Sequence, residues 1–262
     1  MPMGGDRPDD TAKKTMEKGV DTRAHRASKL RAISSFAGGI ANDFNEILAV
    51  IMGYIELTRL DMPVNSASRK NLDSAMNAVE RAKDLVVDIL SYSRQHELKR
   101  TPIKIREIVE KSLTGLKSSL PSKIRINEHF ECGDCKVKAN PSQIRQIVIN
   151  LCTNAGQAMI DKGGVIDITL DRLSVGEESR DFSFDPLPGS YIVLKVGDTG
   201  HGMDPETIGK IFDPYFSTLE AGPCSGMGLA MVDGIVELCG GYVDVESIPG
   251  KGTTFTILLP EV

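Results

Sequence analysis

The chain lacks tryptophan, and aromatic side chains make up only 5% of its 262 residues. It has no run of about 20 apolar residues that could span a bilayer, and its N-terminus has no apolar signal-peptide core. Neither sign of charge dominates, since 31 Lys and Arg stand against 36 Asp and Glu, for a net charge of −5. These absences predict a soluble, cytoplasmic chain with no direct membrane segment, and they give no reason to expect nucleic acid as a partner.

Cysteine is also scarce, and the five residues are odd in number. This argues against a disulfide framework and fits a reducing compartment. Cys132-Gly-Asp-Cys135 is a lone C-x-x-C, and a zinc site would need a second ligand pair, so a turn between two strands is the better interpretation. The remaining cysteines are expected to pack as small apolar residues: Cys152, Cys224 and Cys239.

Two long helices are predicted in the first part of the chain. Residues 1–24 have no apolar period and are interpreted as a disordered start or linker. Apolar residues then recur at alternating steps of three and four: Leu30, Ile33, Ala37, Ile40, Phe44, Ile47, Ile51 and Tyr54. After a break around Pro63, a second stripe follows: Leu72, Ala75, Val79, Ala82, Val86, Ile89 and Ser93. The pattern predicts an antiparallel helical hairpin over residues 25–100.

The two apolar stripes predict a homodimer. One hairpin cannot bury both stripes, whereas two copies packed as a four-helix bundle can. The alternative is a hairpin that packs on the rest of its own chain.

A second domain is predicted over residues 101–262, beginning at Thr101-Pro102. Strand-like runs alternate with helical patterns, which predicts an α/β two-layer sandwich and makes the overall fold class α + α/β. The predicted strands are Lys123–Phe130, Val165–Arg172, Tyr191–Val196, Tyr242–Glu246 and Thr254–Leu259. The predicted helices cover residues 105–118, 141–160 and 226–239, and 174–189 is predicted to be a loop.

Residues 36–48 read FAGGIANDFNEIL. They resemble the phospho-acceptor helix of sensor histidine kinases in which Asp-Phe-Asn follows the acceptor. In that family the residue before the Asp is the histidine that receives phosphate from ATP, and here it is Asn42. An amide nitrogen is not a nucleophile, because its lone pair is delocalised into the carbonyl. The resemblance implies that Asp43 orients the acceptor and helps with its proton.

Several segments after residue 139 resemble the ATP-binding domain shared by histidine kinases, gyrase-type topoisomerases, MutL-type repair proteins and one chaperone family. They are Asn140–Ala155, Asp198-Thr-Gly-His-Gly202, Ile211–Phe216, Ser225-Gly-Met-Gly-Leu229 and Gly250–Phe255. Each is weak alone, but their order and their contexts together are specific. The resemblance covers roughly residues 25–260.

The resemblance implies ATP and Mg²⁺ as cofactors. Asn154 is implied as the Mg²⁺ ligand, and a neutral oxygen suits a hard cation already neutralised by phosphate. Asp198 is implied as the acceptor for the adenine amino group. The other implied nucleotide-binding residues are Asn150, Gly200, Gly202, Phe212, Phe216, Ser225, Gly226, Gly228, Leu229 and Thr253. Related ATPases carry a water-positioning Glu at the place of Asn150, so kinase chemistry is favoured over hydrolysis.

The chain departs from the family at five positions. Asn42 replaces the acceptor, Glu46 stands where Asn or Thr is usual, Gly156-Gln157 replaces Arg-Asp, and Leu219 replaces a lid Lys. By helical spacing, Asn42 lies off the apolar stripe, on a flanking face of small or polar residues with Gly38, Asn45 or Glu46, Ala49 and Gly53. Two explanations remain open: a laboratory substitution in a working kinase, or natural degeneration.

The predicted function is therefore the catalytic core of a two-component sensor histidine kinase, with self-phosphorylation abolished by Asn42. The family resemblance implies phosphorelay to the receiver domain of a response regulator and a sensor domain missing upstream. The alternative is a natural pseudokinase, an ATP-responsive dimeric scaffold that docks a receiver domain or another kinase.

Overall fold

The computed structural model describes residues 43–64, 66–94, 98–176, 182, 186–218 and 226–262. The predictions for residues 1–24, for the first part of the apolar stripe, and for Asn42, Leu219, Cys224 and Ser225 lie outside the described residues. The chain divides into two compact units between Ser93 and Arg94. Among the described helices, none combines the length and the apolar composition needed to cross a bilayer.

The first unit contains a helical hairpin. Helix α1 runs through residues 43–60 of the described chain, and α2 covers Ala67–Arg94. In the turn between them, the Arg69 guanidinium donates to the carbonyl oxygens of Arg59 at 3.2 Å and Met62 at 3.1 Å. These contacts satisfy acceptors that have no partner within α1, because the last carbonyls of a helix lie beyond its own hydrogen-bond ladder.

The hairpin packs along one side of α1. Leu48 is buried with Val86, and Val79 and Ala82 pack against this pair. The stripe predicted from the sequence lies on the neighbouring side of α1, where four of its members are 40–67% exposed: Phe44, Ile47, Ile51 and Tyr54. The single chain therefore leaves an apolar surface on α1 uncovered, and we call these four residues the α1 apolar surface.

The second unit is a mixed five-stranded sheet packed with helices. Its helices are α3 Ile105–Leu116, α4 Pro141–Ala158, α5 Pro205–Ile208 and α6 Gly228–Leu238. Its sheet strands are β2 Ile124–Phe130, β4 Gly164–Val175, β5 Gly189–Asp198, β6 Tyr242–Ile248 and β7 Gly252–Pro260. The strand order is β2-β4-β5-β7-β6; β2 is parallel to β4, and the other neighbours are antiparallel. This confirms the predicted sandwich.

A separate two-stranded sheet was missed by the sequence analysis. Strands β1 Thr101–Lys104 and β3 Lys136–Ala139 pair antiparallel. Each has only four residues, too few for an alternating pattern to stand out from chance. The predicted loop is also shorter than expected, because β4 continues to Val175.

The strand register brings distant residues to one end of the sheet. Residues of β5 alternate between faces, so Ile192 and Leu194 are buried on one side while Tyr191 and Val193 pack on the other with Phe182. Pairing of β5 with β7 brings Gly197 opposite Thr254, and pairing of β6 with β7 places Ser247 opposite Thr253. Asp198, the last residue of β5, therefore lies beside the start of β7.

Candidate nucleotide-binding site

The carboxylate of Asp198 is held at the end of β5 by two main-chain donors. Its Oδ1 accepts the Gly200 N–H at 2.8 Å and the Thr253 N–H at 3.3 Å. Burial raises the pKa of the Asp198 carboxyl above its ordinary value, and the two N–H groups oppose that rise. A partly buried acceptor of this kind suits a ligand that supplies a hydrogen-bond donor, because the new bond offsets part of the cost of desolvation.

The glycines around Asp198 leave no room for side chains. Gly202 has a φ of +65° and Gly252 a φ of +114°, a region that favours glycine. A Cβ on Gly252 would run into the carbonyl oxygen of Asp198. A Cβ on Gly200 would come within 2.6 Å of Ala158 and 2.8 Å of the Asp198 carboxylate. Main chain, rather than side chains, therefore forms the surface next to the carboxylate.

The loop after Asp198 is tied to the turn between β6 and β7. The Met203 N–H donates to Ser247 Oγ at 2.8 Å, and the Gly250 N–H donates to the carbonyl oxygen of His201 at 2.7 Å. The position of the Asp198 carboxylate thus depends on two segments that are far apart in the sequence.

Asn150 connects α4 to the start of α6. Its Nδ2 donates to the carbonyl oxygen of Gly228 at 2.9 Å, and its Oδ1 accepts Nε2 of Gln146 at 2.8 Å. Because a carbonyl oxygen can only accept, the Gly228 contact fixes the orientation of the amide. Asn150 is therefore a tether for the glycine-rich turn, and an amide engaged at both ends offers no general base.

Asn154 lies one helical turn after Asn150, on the same face of α4. Its side chain is partly buried. A side-chain amide oxygen is the kind of neutral ligand that Mg²⁺ accepts when phosphate supplies the negative charge. In the part of the chain that the structure describes, no cluster of three His, Cys, Asp or Glu forms an alternative metal centre.

Gly226, Gly228 and Leu229 lie at the N-terminal end of α6, which begins at Gly228. Gly226 has a φ of +69°, and a Cβ there would come within 2.6 Å of the Tyr215 main chain. The Tyr215 N–H donates to the Gly226 carbonyl oxygen at 3.0 Å. This bond joins the two ends of the segment that contains Ser225, and main-chain N–H groups at the start of a helix can bind phosphate.

Phe212 and Phe216 follow α5 and are both partly buried, next to the buried Ile211. Helix α5 is capped by Asp204, whose Oδ1 accepts the Thr207 N–H at 2.7 Å. The implied role of Phe212 and Phe216 in nucleotide binding stays a prediction, because the segment that follows lies largely outside the described residues.

Gly156 has a packing role. A Cβ on this residue would come within 2.7 Å of Cδ2 of Leu120. It lies two residues beyond Asn154, about 200° away around α4, and therefore on a different face. Leu120 fills the space that a side chain at position 156 would occupy. The glycine is therefore explained by packing and is no evidence that nucleotide binding has been lost.

Glu46, rather than Asn45, lies on the flanking face of α1 with Ala49 and Gly53, and we call this exposed side of the helix the open face. Glu46 and Ala49 are exposed, and a Cβ built on Gly53 has nothing within 4 Å. Asn45 is partly buried, with its Oδ1 shielded from solvent. Asp43 is exposed at the start of the described part of α1.

Cys132 and Cys135 form a disulfide in the turn between β2 and β3. The predicted turn is present, but the argument against disulfides from the number of cysteines fails for this pair. The turn brings their Cα atoms to 5.8 Å, a separation typical of disulfides. Cys152 is buried as expected, and burial raises the pKa of its thiol to about 12.

Sequence reasoning missed two residues of this site, Gln146 and Ser247. Gln146 precedes Asn150 by one helical turn, so the spacing carried a usable signal. Ser247 had no such signal, because only the register of β6 against β7 places it opposite Thr253.

Two family models match the chain in order. Residues 32–98 match the His Kinase A (phospho-acceptor) domain. Residues 139–262 match the histidine kinase-, DNA gyrase B- and HSP90-like ATPase family.

Similar curated proteins are sensor kinases. CckA of Brucella abortus is 30% identical over 248 residues, which covers 95% of this chain and 26% of that protein. ZraS of Klebsiella oxytoca is 30% identical over 236 residues, which covers 90% of this chain and 47% of that protein. Sporulation kinase C of Bacillus subtilis is 27% identical over 240 residues, which covers 90% of this chain and 51% of that protein. The chain thus spans from a quarter to about half the length of these relatives.

Solved structures share the fold. Full-length ShkA in complex with AMPPNP superposes with a TM-score of 0.64 at 21% identity, covering 86% of this chain and 45% of that one. ThkA in complex with the response regulator TrrA superposes with a TM-score of 0.60 at 22% identity, which covers 93% of this chain and 66% of that one. With the acceptor and ATPase family models matched in sequence, and with this fold, the chain belongs to the sensor histidine kinases and comprises their catalytic core.

Proposed function

We propose that this chain binds ATP with Mg²⁺ and is the cytoplasmic core of a two-component kinase in which Asn42 abolishes self-phosphorylation. The observation that carries the nucleotide assignment is the Asp198 carboxylate, partly buried and held by the N–H groups of Gly200 and Thr253. The relatives are longer than this chain, so a sensor domain outside it is proposed to supply the stimulus.

The residues of the site fit the nucleotide. Asp198 accepts from the exocyclic amino group of adenine, and Asn154 contributes a neutral oxygen to the cation. The N–H groups that begin α6 face the phosphates, and Asn150 holds that turn through the Gly228 carbonyl. Bound Mg²⁺ neutralises the charge of the phosphates. Because Asn150 is an amide engaged at both ends, the site holds ATP without activating water.

Calorimetric titration with ATP in the presence of Mg²⁺ tests the binding. We expect saturable binding, slow steady hydrolysis, and loss of the Mg²⁺-dependent part of the affinity in Asn154→Ala. Incubation with γ-labelled ATP is expected to give no acid-labile phosphoprotein. Labelling of the unmodified chain contradicts the role given to Asn42, and rapid hydrolysis contradicts the role given to Asn150.

The α1 apolar surface favours a homodimer through this helix. Phe44, Ile47, Ile51 and Tyr54 are exposed along one side of α1 in the single chain, and burying them against a second copy completes a four-helix bundle. The receiver domain of a response regulator is the proposed partner for the open face that carries Glu46.

A pseudokinase scaffold is the second candidate, and Glu46 favours it. Position 46 carries an exposed carboxylate where the family usually has Asn or Thr, and the acceptor position 42 is altered as well. Asn42→His separates the two candidates. Labelling of this variant indicates a kinase blocked at one position, whereas an unlabelled variant that still captures a receiver domain supports the scaffold.

A further inference from the structure

Ser247 contacts three groups around the Asp198 site, although it does not belong to any of the motifs in the sequence. Its Oγ accepts the Met203 N–H at 2.8 Å and lies 3.1 Å from the Gly252 carbonyl oxygen and 2.9 Å from Thr253 Oγ1. Thr253 itself donates its N–H to Asp198. Ser247 therefore joins the loop after β5 to the strand that holds the carboxylate.

The hydrogen count of these contacts sets their direction. A serine hydroxyl has one proton to donate and can accept two hydrogen bonds. The Gly252 carbonyl can only accept, so that contact requires the Ser247 proton. The contact with Thr253 then requires the Thr253 hydroxyl to donate to Ser247. With this assignment all three contacts form together, and the capacity of the Ser247 hydroxyl is filled.

The direction of these bonds decides what Thr253 offers to a ligand. Thr253 is 6% exposed, so its hydroxyl proton needs an acceptor within the protein. Once that proton points to Ser247, the Thr253 oxygen can only accept. Asp198 also presents only acceptors when it is ionised. The two residues together match a base edge that donates and disfavour one that carries a carbonyl oxygen.

We propose that Ser247 is a positioning residue that orients the Thr253 hydroxyl and thereby sets the preference of the Asp198 pocket for a purine with an exocyclic amino group. The inference rests on the proposed binding of ATP. Without the Ser247 hydroxyl, the Met203 N–H loses its acceptor and the Thr253 hydroxyl is free to rotate and donate. The pocket then loses its bias against a carbonyl at the same position.

The test compares ATP with ITP, in which a carbonyl oxygen replaces the amino group, by titrating the full chain with each nucleotide in excess Mg²⁺. We expect the unmodified chain to prefer ATP by at least about tenfold, since an unmatched buried polar group costs about 1–3 kcal/mol. Ser247→Ala is expected to bind ATP about fivefold more weakly and to keep its affinity for ITP within about twofold. The base preference then falls by about the same factor as the ATP affinity.

Two variants separate this role from a general loss of structure. Ser247→Thr keeps a hydroxyl and is expected to restore the preference for ATP. Ser174→Ala removes an exposed serine at the opposite end of the β4–β5 ladder and is expected to leave both affinities unchanged. Thermal unfolding checks that each variant is folded.

The outcomes distinguish the inference from the proposal beneath it. An equal loss of affinity for both nucleotides in Ser247→Ala, or no loss for either, overturns the role of Ser247 and leaves ATP binding intact. Failure of the unmodified chain to bind ATP overturns the proposed function, and this inference with it.

Discussion

The two units of this chain bury their apolar residues differently. In the second unit, the sheet residues Ile192 and Leu194 are almost fully buried within one chain. In the hairpin, Ile47 and Tyr54 are more than half exposed, and among the residues whose side chains the structure describes, a buried cluster forms around Leu48 and Val86. One unit closes its core alone, whereas the other leaves apolar surface that a partner can cover.

This difference follows from geometry. A twisted sheet with helices packed on it encloses a core on its own. Two helices can cover each other along only one side, and the remaining apolar stripe needs further helices. The hairpin is thus the part of the molecule in which the proposed association would be coupled to stability.

A matched pair of isoleucine substitutions is expected to show the largest effect. Ile192→Ala should destabilise the second unit by about 2–5 kcal/mol, because it opens a cavity in a closed core. Ile47→Ala should cost the isolated chain less than about 1 kcal/mol, because its side chain is already exposed. Amide hydrogen exchange at low protein concentration measures the two units separately. Equal costs would show that the contrast in burial is not a contrast in stability.

Charges on the α1 apolar surface are expected to break the dimer. Ile47→Glu combined with Tyr54→Glu should weaken self-association by about 100-fold, because unpaired carboxylates would be buried in the bundle. Sedimentation velocity over a concentration series measures the change. Asn77→Glu, at an exposed position of α2 away from its apolar stripe, is the matched control, and ATP affinity should stay unchanged. An intact dimer in the double variant contradicts the proposed interface.

In the second unit, Asp198→Asn is expected to lower the affinity for ATP without lowering the free energy of unfolding. ATP affinity should fall by about 10- to 100-fold, because a charged acceptor for the amino group is lost. The free energy of unfolding should not fall, because burial raises the pKa of this carboxyl and so disfavours its charged form in the folded state.

The sign of this effect can be checked with pH. A carboxyl with a raised folded-state pKa contributes stability below its ordinary pKa and loses that contribution as pH rises through the raised value. The stability of Asp198→Asn relative to the unmodified chain should therefore increase with pH across that window, as measured by chemical denaturation. A difference that shrinks as pH rises would contradict the assigned cause.

The smallest effect is expected at Gly156. Alanine is normally about 1 kcal/mol better than glycine in a helix, but here its Cβ meets Leu120 at 2.7 Å. We expect Gly156→Ala to destabilise the unit by about 1 kcal/mol and the same change in a Leu120→Ala background to stabilise it. A double-mutant cycle by chemical denaturation measures the coupling. ATP affinity should change by less than about twofold, since the residue lies off the Asn150–Asn154 face.

Much of the second unit was predictable because its signals are local. The five sheet strands and the three longer helices appear where alternation and helical spacing indicated them. Asn140 caps α4 with an acceptor for the Ser142 N–H at 2.9 Å, and Pro141 occupies the first helical position, where no N–H donor is needed. The roles of Asn154 and Thr253 as nucleotide ligands remain predictions, although Thr253 does lie against Asp198.

The misses arise where residue type and spacing alone do not fix a contact. The bond between Cys132 and Cys135 depends on the geometry of a turn, and a count of cysteines cannot supply it. The packing of Leu48 against Val86 was missed because both stripes were defined on isolated helices, whereas the contact depends on how two helices face each other. Glu46 could be distinguished from Asn45 only once α2 showed which side of α1 is covered.

By itself the sequence determined the family, the order of the two units and the chemical conflict at position 42, because these depend on residue type and spacing. The tertiary structure alone decided that Asn150 bonds to the Gly228 carbonyl, that Gly156 packs against Leu120, and that the Ser247 hydroxyl contacts the Thr253 hydroxyl. The first two depend on contacts between segments distant along the chain, such as the 78 positions from Asn150 to Gly228. The third depends on the register of the hairpin formed by β6 and β7. No local pattern specifies such contacts, because strand register and helix packing bring these residues together only when the whole unit folds.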